Sequence, residues 1–121
     1  MTVAIRRVYD PPAAAGGTRI LVDRLWPRGL ARTKAAIDRW AKEIAPSEEL
    51  RRWFGHDPAR WPEFRRRYAA ELDAHRDALA ELATLAASGP ITLVYAARDT
   101  AHNNAVVLAE ILRATMRDKP G

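Results

Sequence analysis

The chain has 121 residues, a net charge of +5 at neutral pH and no cysteine. The length is that of a single domain, no apolar run approaches the ~20 residues that cross a bilayer, and the missing thiol excludes disulfides, cysteine nucleophiles, zinc–cysteine sites and iron–sulfur clusters. Arginine supplies 17 of the 20 basic residues, which suits forked recognition of phosphate or carboxylate, although a basic balance alone argues anion attraction rather than any one activity.

Residues 1–7 lack the apolar core and cleavage site of a signal peptide, so the expected compartment is the cytoplasm. Residues 3–9, β-branched and aromatic, read as a strand that Asp10-Pro11-Pro12 stops. Residues 13–17 are a flexible connection, short enough to permit a hairpin to the second strand, residues 18–25. The middle of that strand, Ile20-Leu21-Val22, is continuously apolar, as in a strand covered on both faces.

Thr33 is the expected cap of a first helix whose Ile37, Trp40, Ala41 and Ile44 share one stripe, with Pro46 ending it. Ser47 with Glu48 and Glu49 opens a second helix that buries Leu50, Trp53 and Phe54 and ends at Gly55. Asp57-Pro58 opens a third helical run. Trp61, Phe64, Tyr68, Leu72, His75, Leu79, Leu82 and Ala86 carry its stripe to Gly89-Pro90, with a break expected at residues 73–76. Residues 91–97 are the third strand. The last helix is expected from Asp99 or Thr100, with Ala105, Leu108, Ala109, Leu112 and Met116 on one face and residues 118–121 frayed. The order of elements predicts an α/β class domain spanning residues 1–121. Its sheet is small and mostly parallel, of three strands with room for a fourth, flanked by helices in a single layered fold.

If the second and third strands are parallel, two polar loops leave the same edge, where open α/β sheets hold their ligands. One is Asp23-Arg24-Leu25-Trp26-Pro27-Arg28-Gly29. The other, residues 98–104, runs into a helix start that favours anions. Arg24, Arg28 and Arg98 form an expected anion clamp. Asn103 and Asn104 supply donors, Asp23 and Trp26 complete the binding set, and Asp99 and His102 are the candidate acid–base pair. Plain structural roles compete: Asp99 as a cap, Asp23 and Arg24 as an ion pair, the four tryptophans as packing, His75 as a core residue. His56-Asp57-Pro58 is either a second functional element or a helix cap. Three histidines without an i, i+4 pair make no metal site, no motif calls for a cofactor, and Arg65-Arg66-Arg67 reads as a solvated helix face.

Several strings are familiar together: Tyr9-Asp10-Pro11, residues 21–29, residues 42–47, Trp53-Phe54-Gly55-His56-Asp57-Pro58, and residues 93–99 with Asn103-Asn104-Ala105. They resemble the domain of unknown function family numbered 488, in its short YeaO-like branch, over nearly the whole chain. The resemblance implies no established activity. Other branches of that family carry Cys-His-Arg at the start of the last helix, where this chain has Asn103, Asn104 and Ala105 preceded by His102. The departure removes a rhodanese- or phosphatase-like cysteine reaction. It leaves binding of a small phosphate- or carboxylate-bearing anion, with acid–base chemistry by Asp99 or His102 as its extension. The competing reading is a non-enzymatic nucleic-acid or protein-binding module; no membrane partner is expected.

Overall fold

The protein is described by a computed structural model covering residues 2–13 and 15–118, with side chains through Thr115. The expectations for the Met116 side chain and for the fraying of residues 119–121 lie outside the described residues, as does Ala14 of the flexible connection, whereas Asp118 is helical rather than frayed. The chain forms β1 (Val3–Arg7), β2 (Thr18–Leu21), α1 (Arg32–Ala35), β3 (Arg39–Trp40), α2 (Glu48–Phe54), α3 (Trp61–Asp73), α4 (Arg76–Ser88), β4 (Ile91–Tyr95) and α5 (Asn104–Asp118). The four strands lie in the order β1-β4-β2-β3, and every pairing is parallel. This is the α/β class expected, with the fourth strand present.

β4 is central, and all five of its residues are buried. Its side chains alternate as the pleat demands. Ile91, Leu93 and Tyr95 join Val3, Ile20 and Val22 under α2–α5, whereas Val94 joins Leu21, Val8 and Ala35 on the opposite face. Both faces are covered, which accounts for the unbroken apolar runs.

The hairpin permitted by the short connection does not form. β1 lies on the far side of β4 from β2 and runs parallel to it, so residues 8–17 return along the sheet to restart at its other end. Gly17 makes that return possible: its φ is +66°, and Thr18 N–H donates to Pro90 O at 3.1 Å.

The first helix expected from Thr33 to Ile44 is also corrected. Ala36 is left-handed, with φ 51°, and stops α1 after Ala35; the capping position is Ala31, not Thr33. Asp38 then folds onto β2, its carboxylate accepting from Arg19 N–H at 2.8 Å while its own N–H donates to Arg19 O at 2.9 Å. This docking turns Arg39 and Trp40 into β3, and only a single 3₁₀ turn, Lys42–Ile44, remains beyond it.

Other boundaries move less. The break at residues 73–76 is present, but His75 is exposed there rather than on the apolar stripe. Ser47 caps α2, its hydroxyl accepting from Leu50 N–H at 3.1 Å, and Glu71 of α3 grips Ser47 N–H and Oγ at 2.8 and 2.6 Å. Strands expected to reach Tyr9, Leu25 and Ala97 leave the ladder at Arg7, Leu21 and Tyr95. Among the described residues no helix is long and apolar enough to cross a membrane.

Candidate functional site

The parallel pairing of β2 and β4 brings their C-terminal ends to one edge, where the outgoing loops are stitched together. Val22 N–H donates to Val94 O at 3.1 Å. Ala96 N–H donates to Asp23 Oδ2 at 2.9 Å. The Asn104 amide reaches Val22 O at 2.8 Å and Asp23 Oδ1 at 3.2 Å. Residues 23–29 and 98–104 are therefore neighbours, and between them opens a cavity of about 760 Å³.

Burial grades along this cavity. Phe54, Phe64 and Asn103 in its wall are 5%, 1% and 2% exposed, whereas Tyr9 and Leu25 are 43% and 59% exposed. Arg28, Arg51, His56 and Arg98 are exposed lining residues too. The mouth is therefore cationic, and the interior is apolar with a few polar groups.

Four arginines line the cavity. Arg24 follows β2 and donates through Nε to Pro46 O at 3.1 Å; Arg28 sits on a loop held by the Tyr9 hydroxyl, which donates to Arg28 O at 3.0 Å. Arg98 follows β4, and Arg51 comes from α2. None of the four forms an ion pair among the described residues. Asp23 and Arg24 do not pair with each other. The Arg65-Arg66-Arg67 run is occupied: Arg66 and Arg67 bind Glu63, and Arg65 binds Glu110.

The two carboxylates of the site are in opposite electrostatic states. Burial pushes Asp23 above the usual carboxylate range, and hydrogen bonds from Ala96 and Asn104 offset that only in part. Asp99 is held below the range, first by the N–H of Ala101 and then by the side chain and N–H of His102. Its Oδ1 accepts from Ala101 N–H at 2.9 Å and His102 N–H at 3.0 Å, and its Oδ2 meets His102 Nδ1 at 2.9 Å. Asp99 thus occupies the loop N–H groups that the anion-favouring helix start was expected to offer. It does not cap α5 either. The helix begins at Asn104, and Asn103 Oδ1 accepts from Val106 N–H at 3.1 Å.

Every expected site residue lines the cavity except His102, whose ring stands edge-on to Trp61 at 5.2 Å. Trp26 lines it while donating its indole N–H to Leu30 O at 2.7 Å. Asp57 is a cap, accepting from Ala59 N–H at 3.0 Å, but His56 reaches the cavity because Gly55 and His56 are both left-handed, with φ 52° and 57°. Arg51, Tyr9 and Phe64 were not expected there. Arg51 and Phe54 are three apart on α2, so the helical repeat that buries Phe54 also aims Arg51.

Asp23 makes a stability prediction with a definite sign. The fold favours the protonated form, so its contribution is full below the unfolded value of 3.8 and is lost as pH rises through the raised folded value. The unfolding free energy of wild type minus that of Asp23→Asn is expected to fall from acid toward neutral pH. Urea denaturation of both proteins across that range checks it, and a flat or rising difference contradicts it.

The model of a family described as "Inactive DUF488-N3 subclade" matches residues 2–120. Uncharacterized protein YeaO of Escherichia coli (strain K12) is 47% identical over 114 residues, which cover 94% of this chain and 99% of that protein. Uncharacterized protein Rv3073c of Mycobacterium tuberculosis (strain ATCC 25618 / H37Rv) is 43% identical over 110 residues, 91% of this chain and 92% of its own. No solved structure matches the chain.

Proposed function

Because the chain belongs to the inactive DUF488-N3 subclade, we propose that it binds a small phosphate- or carboxylate-bearing molecule at the C-terminal edge of the sheet without turning it over. The observation that carries the reading is the cavity itself, about 760 Å³ in volume and lined by Arg24, Arg28, Arg51 and Arg98, none of them ion-paired among the described residues. Guanidinium groups without carboxylate partners keep forked donors for an anion, and Arg24 has only its Nε–H committed, to Pro46 O. The volume is of the size that small-molecule sites take.

The absence of turnover is supported by three facts. The family description says "inactive". The chain has no cysteine. The carboxylate expected to act as a base, Asp99, is held as the anion by its own loop. A nucleic-acid surface finds less support, because the triple-arginine run is committed to Glu63 and Glu110.

Calorimetric titration with pyrophosphate and with citrate at low salt tests the reading. Saturable binding of at least one is expected. At a hundred times its dissociation constant, that anion should add about 2.7 kcal/mol of stability, visible as an upward shift in melting temperature. Silence from both anions overturns the proposal, and binding of nucleic acid alone would favour the competing module.

A further inference from the structure

We infer that the occupant of this cavity is a nucleoside-phosphate type of molecule, a flat N–H-bearing heterocycle seated in the interior with its phosphate at the arginine mouth. The inference rests on the anion-binding reading and deepens it by giving the ligand a body and a direction.

The direction follows from where donors and acceptors lie. The interior amides have spent three of their four N–H groups: Asn104 Nδ2 donates to Val22 O and to Asp23, and Asn103 Nδ2 donates one to Asp99 O at 2.9 Å. The acceptors are not exhausted. A carboxylate has about four lone-pair sites, and Asp23 receives one hydrogen bond on each oxygen. Asn104 Oδ1 receives none among the described residues, and the bond to Val22 fixes which way the amide is turned. An anion pushed inward would meet the Asp23 carboxylate, with a single Asn103 N–H as the one uncommitted side-chain amide donor among the described residues. Its charge therefore belongs at the mouth with Arg28, Arg51 and Arg98, and the inner end of the ligand must bring N–H donors.

The body follows from the walls. Phe54 and Phe64 close the interior, stacked on each other at 4.3 Å between centroids and almost fully buried, and the half-buried Trp26 and the exposed Tyr9 offer ring surface to the cavity. Flat aromatic surfaces favour a planar ring. An inorganic anion alone would leave most of the 760 Å³ unfilled. Burial has already raised the Asp23 carboxyl, and an N–H from a ligand would supply part of what it has lost.

The test compares AMP, purine ribonucleoside 5′-phosphate, which lacks the exocyclic amine, and ribose 5-phosphate by titration calorimetry. On the wild type, AMP should bind at least tenfold more tightly than ribose 5-phosphate, and the analogue without the amine should fall between them. Asp23→Asn should erase the advantage of AMP while leaving ribose 5-phosphate within about twofold. Should that variant fail to fold, the three-ligand ranking on the wild type decides alone. Equal affinity for AMP and ribose 5-phosphate overturns the heterocycle while the anion reading stands. Equal affinity for AMP and its amine-free analogue overturns the donor contact to Asp23. Binding of none of the three overturns the nucleoside-phosphate inference, and the pyrophosphate and citrate titrations decide the anion reading separately.

Discussion

Replacing Arg24 and Arg98 together with alanine is expected to weaken pyrophosphate binding by about a hundredfold or more. Each guanidinium supplies charge-assisted hydrogen bonds worth roughly 1.5–3 kcal/mol, and about 2.7 kcal/mol corresponds to a hundredfold change in affinity. The two residues leave the ends of β2 and β4, the strands whose parallel pairing builds the site. The fold should tolerate the change. Arg98 is exposed and makes no ion pair among the described residues, and Arg24 gives up one bond to Pro46 O. Replacing Arg66 and Arg67 together with alanine is the matched control, because it removes the same two charges from side chains already paired with Glu63 outside the cavity. Calorimetric titration of the three proteins decides. An affinity of the double variant within threefold of wild type would place the anion elsewhere.

Gly17→Ala is expected to lower the unfolding free energy by about 3 kcal/mol or more, the sum of two costs. A left-handed conformation costs an alanine about 1–2 kcal/mol, and Gly17 has φ +66°. The added methyl would also stand 2.0 Å from Pro90 O and 2.7 Å from Pro90 C, and overpacking of that kind costs about 1–3 kcal/mol or more. No flexible side chain is there to yield, since the obstruction is backbone that also receives the Thr18 N–H. Gly29→Ala separates the two costs. Its φ is +74° but nothing lies within 4 Å of the new methyl, so a loss of about 1 kcal/mol is expected. Urea denaturation of both variants measures the difference, and equal losses would refute the steric argument.

Much of this architecture can be read from local pattern because local forces produce it. β4 shows in its run of Ile91, Leu93 and Val94, α2 in its Ser47 cap, and the α3–α4 break in a helical stripe too long for one helix. The misreadings share a cause: a contact distant in sequence outweighed a local preference. Ile37, Trp40, Ala41 and Ile44 do have helical spacing, and Ala41 and Ile44 are buried. The bonds between Asp38 and Arg19 nevertheless hold that stretch in β3. Likewise β1 carries no mark of which neighbour it will choose, and pairing with β4 required the chain to pass that strand before β2 could start.

The site was legible in location and less so in roles. Parallel strands place Arg24 and Arg98 at one edge whatever else happens. Asp99 is expected as a base or as the cap of the last helix, whereas its carboxylate turns back onto Ala101 and His102 of its own loop. Nothing in the spacing of Asp23 announced that Ala96 and Asn104 would enclose it. Arg51 is aimed by the helical repeat that buries Phe54, and His56 by the left-handed stop after α2, and neither points to the cavity until α2 is docked on α3.

A sheet with open borders invites a stray chain to add itself, and β3 shows how this one avoids that. It is two residues long, so an incoming strand finds very few outward backbone groups on which to zip. Charge guards even these. Arg39 holds Glu43 and Glu81 beside it, and the Lys42 ammonium rides over the Trp40 ring at 4.1 Å from its centre. Templated aggregation at this border would have to strip those charges of water and of one another for two residues of ladder. The 3₁₀ turn at Lys42–Ile44 that follows β3 leaves this border no further ladder to offer.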